Sequence, residues 1–278
     1  MEDSFASLRL LDVLAESRVM QGGMVHRKCI PWAILVQPLR GSYVVSADRR
    51  RLEIASGEFV LVAADMPVTF DHRADAVGGF VARWLHVQAV VADAIDPCAL
   101  AITPHRITGA VARRIGDLLG ALLERTGARP ADRFFRLGLA ASALGEALAD
   151  ASDHPRSRER LAAATRFAPL GTWMRANLHR PLSIDDIAQA AALSRSRLHA
   201  LTAEHLRRPP MAWLKELRLS AAARLLLTTG GSVGQVAAAC GFANPFHFSR
   251  EFTRRYRVAP SRYRDVQDWG MAPASIPP

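Results

Sequence analysis

The chain has 278 residues, half of them hydrophobic, and a formal net charge of +10, which is typical of two globular domains that each bury a core. No apolar run reaches the roughly 18 residues that a membrane-spanning helix needs. The acidic start of the chain, MEDSFASLRL, lacks the basic and apolar segments of a secretion signal. We therefore expect a cytoplasmic protein that does not associate with a membrane.

The cysteines do not form a recognisable site. Cys29, Cys98 and Cys240 are odd in number and far apart, with no CxxC pair and no nearby histidine. This spacing favours reduced, buried thiols over a metal or redox centre. Glycine-rich phosphate loops and nucleophile motifs are also missing from the sequence. The sequence therefore predicts no metal, no cofactor and no catalytic residues.

The charge is unevenly distributed along the chain. Residues 1–155 hold 17 Lys and Arg against 18 Asp and Glu, whereas residues 156–265 hold 19 against 7. An excess of this kind is typical of a surface that binds a polyanion, because Lys and Arg that neutralise phosphates release condensed counterions. A solubilising surface is the alternative, since an arginine-rich composition can also follow the base composition of a genome.

Short β-like runs follow one another between residues 30 and 90, separated by Pro, Gly and Asp turn signals. This spacing predicts a small all-β sandwich or barrel, which we assign to residues 1–105. The predicted strands are Trp32 to Val36, Ser42 to Ser46, Arg51 to Ala55, Glu58 to Ala63 and Gly79 to Val87.

Helical periodicity replaces the β pattern from Thr108 onward, and a break at Gly127 to Pro130 separates a second helix, Asp132 to about Asp150. The two helices predict a hairpin over residues 106–151. Its apolar stripe could pack on the β domain or on a second copy of the chain, and we expect it to take part in a homodimer. The polar, proline-containing segment after it predicts a linker over residues 152–165.

Two short helices are predicted after a helix at Phe167 to Asn177. Ser183 begins the first of them with Asp186 at the third position, a variant of the capping box. Ala192 and the next leucine make a tight turn, and Ser194 begins the second helix. Leu198 and Leu201 face inward, and the outer face carries Ser196, Arg197, His199 and Ala200. This pattern is typical of a helix-turn-helix.

The same pattern returns about 50 residues later. Ser232 begins a short helix with an S-x-x-Q capping box, Gly241 and Phe242 make the turn, and Asn244 followed by proline begins the next helix. Phe248 and Phe252 are spaced to face inward, so the outer face carries Phe246, His247, Arg250 and Arg254. The sequence therefore predicts two helix-turn-helix units in one chain.

One long helix, Met211 to Thr229, is predicted between the two units. Its apolar stripe consists of Trp213, Leu214, Leu217, Leu219, Leu225 and Leu226. At 1.5 Å per residue it spans roughly 28 Å, close to the roughly 34 Å that separates successive major-groove faces of a duplex. A spacer of this length would let one chain read two adjacent grooves.

Residues 167–264 resemble the DNA-binding domain of the AraC/XylS family of bacterial transcription regulators. The carrying segments are LSIDDIAQAAALSRSRLHAL, PMAWLKELRLSAAARLLL and SVGQVAAACGFANPFHFSREFTRRYRVAPSRYR. The chain departs from the family pattern at Ala192, Arg207 and Arg257, which stand where glycines are usual, and at Ala259, which replaces a common Ser or Thr. Because an alanine at positive φ costs about 1 kcal/mol, we expect Ala192 to lower stability without changing the fold.

The resemblance implies which residues contact DNA. In the first unit it implies base contacts from Ser196, His199 and Ala200, with Arg195 and Arg197 close to the phosphate backbone. In the second unit it implies contacts from Phe246, His247 and Arg250, of which Arg250 could bind guanine O6 and N7. The simpler alternatives are a core role for Phe246 and a solvated surface position for each histidine.

The β domain is similar to the cupin-like sensor domain found N-terminal to many members of the family. A metal-dependent cupin needs converging histidines and a glutamate, whereas His26, His72 and His86 have no paired spacing here, so we predict no metal. A small-molecule effector held in the barrel mouth is the expected ligand. The candidate contacts, each of which could equally be plain core, are Trp32, Tyr43, Phe59, Phe70 and Trp84.

The sequence thus predicts a multidomain α+β chain. A cupin-like all-β barrel with a helical hairpin precedes an all-α DNA-binding domain over residues 166–265, followed by a tail over 266–278. The expected partners are double-stranded DNA, a small-molecule effector and a second copy of the chain, with RNA polymerase a further candidate. The alternatives are a cupin-type enzyme fused to a DNA-binding module and a nonspecific architectural nucleic-acid binder.

Overall fold

The structure is a computed structural model that describes residues 9–21, 23–47, 49–90, 98, 101–125, 129–152, 155–206 and 208–267. The chain divides into two compact units, Met1–Ala162 and Ala163–Pro278. In the described residues, no helix is both long and apolar enough to cross a bilayer.

The first unit is built from two antiparallel sheets. The larger sheet has the strand order β1-β8-β3-β6-β9 and the smaller one β2-β7-β4-β5. The strands are β1 Arg9–Gln21, β2 Val25–Lys28, β3 Ala33–Arg40, β4 Ser42–Ala47, β5 Arg50–Ile54, β6 Phe59–Val62, β7 Val68–Arg73, β8 Gly79–Val90 and β9 His105–Ile107.

Strand β8, which lies between β1 and β3, separates two buried layers, because successive side chains of a strand point to opposite faces. Leu85 and Val87 lie in one core together with the helices that follow the sheet. Phe80 and Trp84, which have the opposite parity, contact Tyr43 and Lys28 of the smaller sheet. The larger sheet therefore lies between a helical layer and the smaller sheet.

The helical layer is the hairpin α1 Gly109–Glu124 and α2 Pro130–Ala151. Its apolar face packs on the outer side of the larger sheet, where Ile115, Leu119 and Leu144 are fully buried with Phe59 and Leu61. The predicted hairpin is confirmed, and its stripe packs on the β domain.

The predicted all-β domain is confirmed, although four strands were not predicted. Strands β1, β2, β7 and β9 carry charged or polar residues among the apolar ones, as in Val68-Thr69-Phe70-Asp71-His72-Arg73 of β7. Periodicity alone gives little signal in such segments, because pairing with neighbouring strands decides their conformation.

The second unit is all-helical. Its helices are the larger part of α3 Pro155–Ala176, which begins before the boundary at Ala162, and α4 Ile184–Ala190, α5 Arg195–Leu206, α6 Pro210–Thr228, α7 Val233–Ala239, α8 Pro245–Tyr256 and α9 Pro260–Gln267. The long helix between the two helix-turn-helix units is confirmed within one residue at each end. Of its predicted stripe, Leu214, Leu219 and Leu226 are buried, and Ala222 and Ala223 join them at 0% exposure.

The segment predicted as a linker over residues 152–165 contains the first turns of helix α3, and the boundary between the two compact units falls within it, after Ala162. The helix begins at Pro155, twelve residues before the predicted start at Phe167. Proline is tolerated in the first turn of a helix, because the amide that it lacks has no intrahelical partner there. The Arg, Glu and Ala residues that follow it are good helix formers.

Two apolar clusters hold the second unit together. One joins α3, α4, α5 and α6 and includes Met174, Ile187, Leu198 and Leu214. The other is aromatic: the rings of Phe252 and Tyr263 lie 5.0 Å apart, and those of Phe248 and Phe252 lie 5.4 Å apart. Each helix-turn-helix unit therefore packs its inner face on a separate core.

Candidate nucleic-acid interface

The first helix-turn-helix consists of α4 and α5. The Ser183 hydroxyl accepts a hydrogen bond from the Asp186 amide, and the Asp186 carboxylate accepts one from the Ser183 amide, which completes the predicted capping box. The hydrogen bond from the Ser183 hydroxyl lowers the pKa of Asp186, and the bond from the backbone amide adds to this effect. The turn after α4 is made by Ala192 at φ +52°, so the departure from glycine does place an alanine in the left-handed region.

The outer face of α5 carries every residue predicted there. Ser196, Arg197, His199 and Ala200 are exposed, whereas Leu198 and Leu201 are buried at 0% and 4% exposure. The Ser194 hydroxyl accepts a hydrogen bond from the Arg197 amide at 3.2 Å, which confirms the predicted cap. The N-terminal half of α5 is thus open to solvent along this face.

Arg195 makes an ion pair with Asp185 across the turn, with two hydrogen bonds between guanidinium and carboxylate. Both side chains are more than half exposed. Pairs in this position contribute little stability, because water screens them. The pair matters for its effect on charge, since Asp185 neutralises a cation that lies beside the exposed face of α5.

The second helix-turn-helix consists of α7 and α8. Ser232 and Gln235 form the same reciprocal capping box, and Gly241 makes the turn at φ +74°. The side chain of Asn244 accepts hydrogen bonds from the amides of Phe246 and His247, at 2.8 and 3.2 Å. The predicted cap followed by proline is therefore confirmed.

The outer face of α8 carries an exposed aromatic ring that the outer face of α5 lacks. Phe246 is 86% exposed, so the alternative of a core aromatic does not hold. His247 and Arg250 are also exposed, and their side chains lie 3.3 Å apart from Nδ1 to Nη2. A guanidinium, an imidazole and an exposed phenyl ring thus share one turn of helix.

Glu251 anchors the inner side of α8. It is 4% exposed, and its carboxylate pairs with Lys215 of α6 at 2.8 Å and with Arg254 of the next turn. The hydrogen bond from Lys215 lowers the pKa of Glu251, so the carboxylate remains charged and paired at neutral pH. This pair fixes α8 to α6, an interaction that sequence spacing did not indicate.

The two helix-turn-helix units share the same spacing between cap and turn. In each, a capping serine lies nine residues before the turn residue, Ser183 before Ala192 and Ser232 before Gly241. The shared helix α6 has 19 residues, which corresponds to roughly 28 Å of length.

The predicted effector contacts fall into two groups. Tyr43, Phe70 and Trp84 belong to the layer between the sheets, where Tyr43 lies 5.5 Å from Phe70. Phe59 instead lies on the other face of the larger sheet, in the core that the helical hairpin covers. Trp32 is buried at 2% exposure.

The layer between the sheets also contains histidines that lie far apart in the sequence. The rings of His26 and His72 lie 4.4 Å apart, because strands β2 and β7 are neighbours. His72 stacks on Phe80 at 4.8 Å. Among the described residues, no three His, Cys, Asp or Glu side chains are placed to hold a metal ion.

Comparisons with known proteins agree with this geometry. Residues 187–265 match the helix-turn-helix domain family. A stretch of 99 residues, 36% of this chain, is 35% identical to the HTH-type transcriptional regulator ArgR of Pseudomonas aeruginosa and covers 30% of that protein. The chain thus spans less than a third of the length of this relative.

The two-domain fold is similar to that of ToxT from Vibrio cholerae. The similarity covers 91% of this chain and 97% of ToxT with a TM-score of 0.58, at 14% sequence identity. A second ToxT structure, with an unsaturated fatty acid bound, covers 91% of this chain and 95% of ToxT with a TM-score of 0.52, also at 14% identity. At 14% identity this structural similarity shows a common fold alone.

Proposed function

We propose that this chain, whose C-terminal unit is a helix-turn-helix domain of the AraC/XylS type, is a sequence-specific DNA-binding transcription regulator controlled by a small molecule. One observation carries the proposal: two capped, exposed helices, α5 and α8, present different side chains from one compact unit. A nonspecific binder needs only positive charge, whereas different sets of exposed side chains can discriminate between base pairs.

In this proposal α8 supplies most of the base readout. Arg250 can donate two hydrogen bonds to guanine O6 and N7, and the exposed ring of Phe246 can contact a thymine methyl group. His247, which lies beside Arg250, adds a second polar group on the same turn.

Helix α5 supplies a smaller reading face in this proposal. Ser196, His199 and Ala200 contact base edges, while Arg195 and Arg197 contact phosphates. Arg195 must exchange its ion pair with Asp185 for a phosphate. Because that ion pair is exposed to solvent, the exchange costs little.

DNA selection tests the proposal directly. The full chain is incubated with a pool of random duplexes of about 30 base pairs, enough for two adjacent major-groove sites, and the bound fraction is sequenced over several rounds. Enrichment of a two-part motif supports a sequence-specific regulator. Equal retention of all sequences would instead assign the chain to the architectural nucleic-acid binders.

The effector part of the proposal rests on buried polar atoms between the two sheets. In the part of the chain that the structure describes, the indole Nε1 of Trp84, Nδ1 of His72 and both ring nitrogens of His86 are buried in this layer without a hydrogen-bond partner. The Nε1 of Trp32, which directly precedes β3, is likewise buried without one. Each such group costs about 1–3 kcal/mol when it stays unpaired. A polar ligand in this layer would satisfy several of them at once.

The protonation state of the histidines narrows the ligand chemistry. Burial lowers the pKa of His72 to about 3, and the charges of His26 and Lys28 add to this shift. Burial also lowers the pKa of His86 well below its usual value. Neutral imidazoles offer one donor and one acceptor each, and the indoles offer donors. The expected effector therefore carries both hydrogen-bond donors and acceptors.

A ligand panel tests the effector. Hydroxylated small molecules are screened together with aliphatic carboxylic acids, which are included because a fatty acid occupies the similarly folded ToxT. Thermal stability and DNA affinity of the full chain are both measured, since a ligand that binds only the folded state raises the melting temperature. His86→Phe should abolish the shift given by the true effector. A panel without any change in either quantity would contradict effector control.

We also include a homodimer in the proposal. Phe134 and Phe135 on α2 are 77% and 45% exposed, and Leu139 is partly buried beside them. Exposed apolar patches of this kind mark interaction surfaces. Sedimentation of Phe134→Ser should show a shift toward monomer, whereas Val77→Ser, at a residue that is 81% exposed in the β domain, should leave the dimer intact. A dimer unaffected by Phe134→Ser would place the interface elsewhere.

A further inference from the structure

Arg218 of the shared helix α6 connects parts of the domain that are far apart in sequence. Its Nε donates a hydrogen bond to the carbonyl oxygen of Leu178 at 3.2 Å, and its Nη2 donates one to the carbonyl oxygen of Arg180 at 2.6 Å. Both carbonyls lie in the short segment between the end of α3 and Ser183, the cap of α4. The guanidinium thus holds the segment that leads into the first helix-turn-helix.

The same guanidinium also contacts the second helix-turn-helix. A Cβ added at Gly241 would lie 2.9 Å from Nη2 of Arg218 and would overlap the carbonyl oxygen of Leu178. The turn between α7 and α8 therefore lies directly on the segment before α4. Helix α6 supplies the side chain that fills the junction.

The electrostatics of the junction favour a permanent contact. Burial lowers the pKa of Arg218, yet an arginine remains charged at neutral pH. Burial also raises the pKa of the neighbouring Cys240 to about 11, so that side chain stays a neutral thiol. The charge of Arg218 is therefore directed to the two carbonyl oxygens, and hydrogen bonds from a charged donor are stronger than those from a neutral one.

We propose that Arg218 is the positioning residue that fixes the separation and relative rotation of the two reading helices, α5 and α8. Without it, the first helix-turn-helix would remain packed on α6 through its apolar core, and the second would remain attached to α6 through Lys215 and Arg264. The contact between the turn at Gly241 and the segment 178–180 would lose its two charged hydrogen bonds. The two units could then tilt about α6. The inference rests on the proposed two-groove reading of DNA.

The chain contains a matched control for this role. Arg264 of α9 donates to the carbonyl oxygens of Leu226 at 2.9 Å and Thr229 at 2.5 Å. These carbonyls precede Ser232 of α7, as those of Leu178 and Arg180 precede Ser183 of α4. Arg264 makes the same kind of contact, but it joins only elements that flank the second unit and does not connect the two units.

The test measures how binding depends on the spacing between the two parts of the DNA site. The two-part motif that wild-type chain selects from random duplexes is resynthesised with one, two or three base pairs inserted or removed between its halves. Each added base pair moves one half by about 3.4 Å along the duplex and also rotates it. Affinity is measured by fluorescence anisotropy for the wild type, Arg218→Ala, Arg218→Lys and Arg264→Ala, each well below its own melting temperature.

We expect the wild type and Arg264→Ala to prefer one spacing by about tenfold or more over its neighbours, a loss comparable with that of a mismatched base pair. Arg218→Ala should bind several spacings within about threefold of one another, while reading the same bases in each half. Arg218→Lys, which cannot make both hydrogen bonds in the same geometry, should fall between them.

Two results would overturn the inference. The first is an unchanged spacing preference in both Arg218 variants, and the second is an equally broadened preference in Arg264→Ala, which would show that general loosening is the cause. If Arg218→Ala does not fold, Arg218→Lys decides the question by the same criterion. Failure of the wild type to select any motif would overturn the proposed function as well, and is seen before any variant is measured.

Discussion

In the first helix-turn-helix the turn residue, Ala192, is exposed to solvent, whereas its counterpart Gly241 lies against the Leu178 carbonyl and Arg218. Both residues have positive φ, and both follow a seven-residue helix that begins with a capping box. The two turns have the same backbone conformation, but their surroundings allow different side chains at the turn residue. An exposed turn tolerates a strained alanine, but a turn packed on another backbone segment admits only glycine.

Gly241→Ala should produce the largest change in stability. Positive φ costs an alanine about 1 kcal/mol relative to glycine, and overlap with a backbone carbonyl adds more, so we expect a loss of about 3 kcal/mol. Calorimetry of the full chain measures it. Gly234→Ala, in an open helical position of α7, is the control and should raise stability by up to about 1 kcal/mol. Equal effects at the two glycines would contradict the packing difference.

Arg250→Ala tests whether the second helix-turn-helix contributes more to base readout than the first. We expect discrimination at one base pair to fall by about 1–3 kcal/mol, because a bidentate contact to guanine is lost, with little change in melting temperature. Ser196→Ala, the matched variant in the first helix-turn-helix, should lower base-pair discrimination by less. Competition binding with single-base variants of the selected motif measures both losses. If Ser196→Ala had the larger effect, the two reading faces would have been ranked in the wrong order.

Removal of the capping serines tests whether the two capping boxes contribute equally to stability. Ser183→Ala and Ser232→Ala should each lower the free energy of unfolding by about 1 kcal/mol, since each leaves helix amides without a partner. Threonine at either position keeps the capping hydroxyl and should restore most of the loss. A cost confined to one serine in urea unfolding would show that the two capping boxes do not contribute equally.

Ala192→Gly should give the smallest effect and the opposite sign. Glycine relieves the strain at φ +52°, and we expect a gain of up to about 1 kcal/mol, which is a rise of a few degrees in melting temperature. Ala203→Gly, at an exposed position within α5, is the control and should lower stability by about 1 kcal/mol. A loss in both variants would mean that the turn is not strained.

Much of the helical C-terminal unit could be predicted from sequence because its signals are local. Capping residues, turn residues and inward-facing side chains lie within a dozen positions of one another, so Ser183, Ser232 and Phe248 were assigned from spacing alone. The second half of helix α3 was predicted, but its first twelve residues were not, because Pro155 and the polar residues after it resemble a linker as much as a first helical turn.

Contacts between distant segments could not be predicted from spacing. His26 meets His72 only because β2 pairs with β7, and Arg218 meets Leu178 only because α6 folds back across the segment before α4. Phe59 shows the same limit, since the face of a strand on which a residue lies becomes decisive only when both neighbouring layers are known. These contacts depend on topology, which one sequence does not specify locally.

The shared helix α6 has a consequence for the folding of the domain. It supplies one wall of the core of the first helix-turn-helix. Through Leu226 and Lys215 it also contacts α9 and the second helix-turn-helix. A fragment that ends before α6, or one that begins after it, would therefore leave an apolar face of its helices in water. We expect the two helix-turn-helix units to unfold in a single cooperative transition, with amides of α5 and α8 exchanging with solvent through the same global opening.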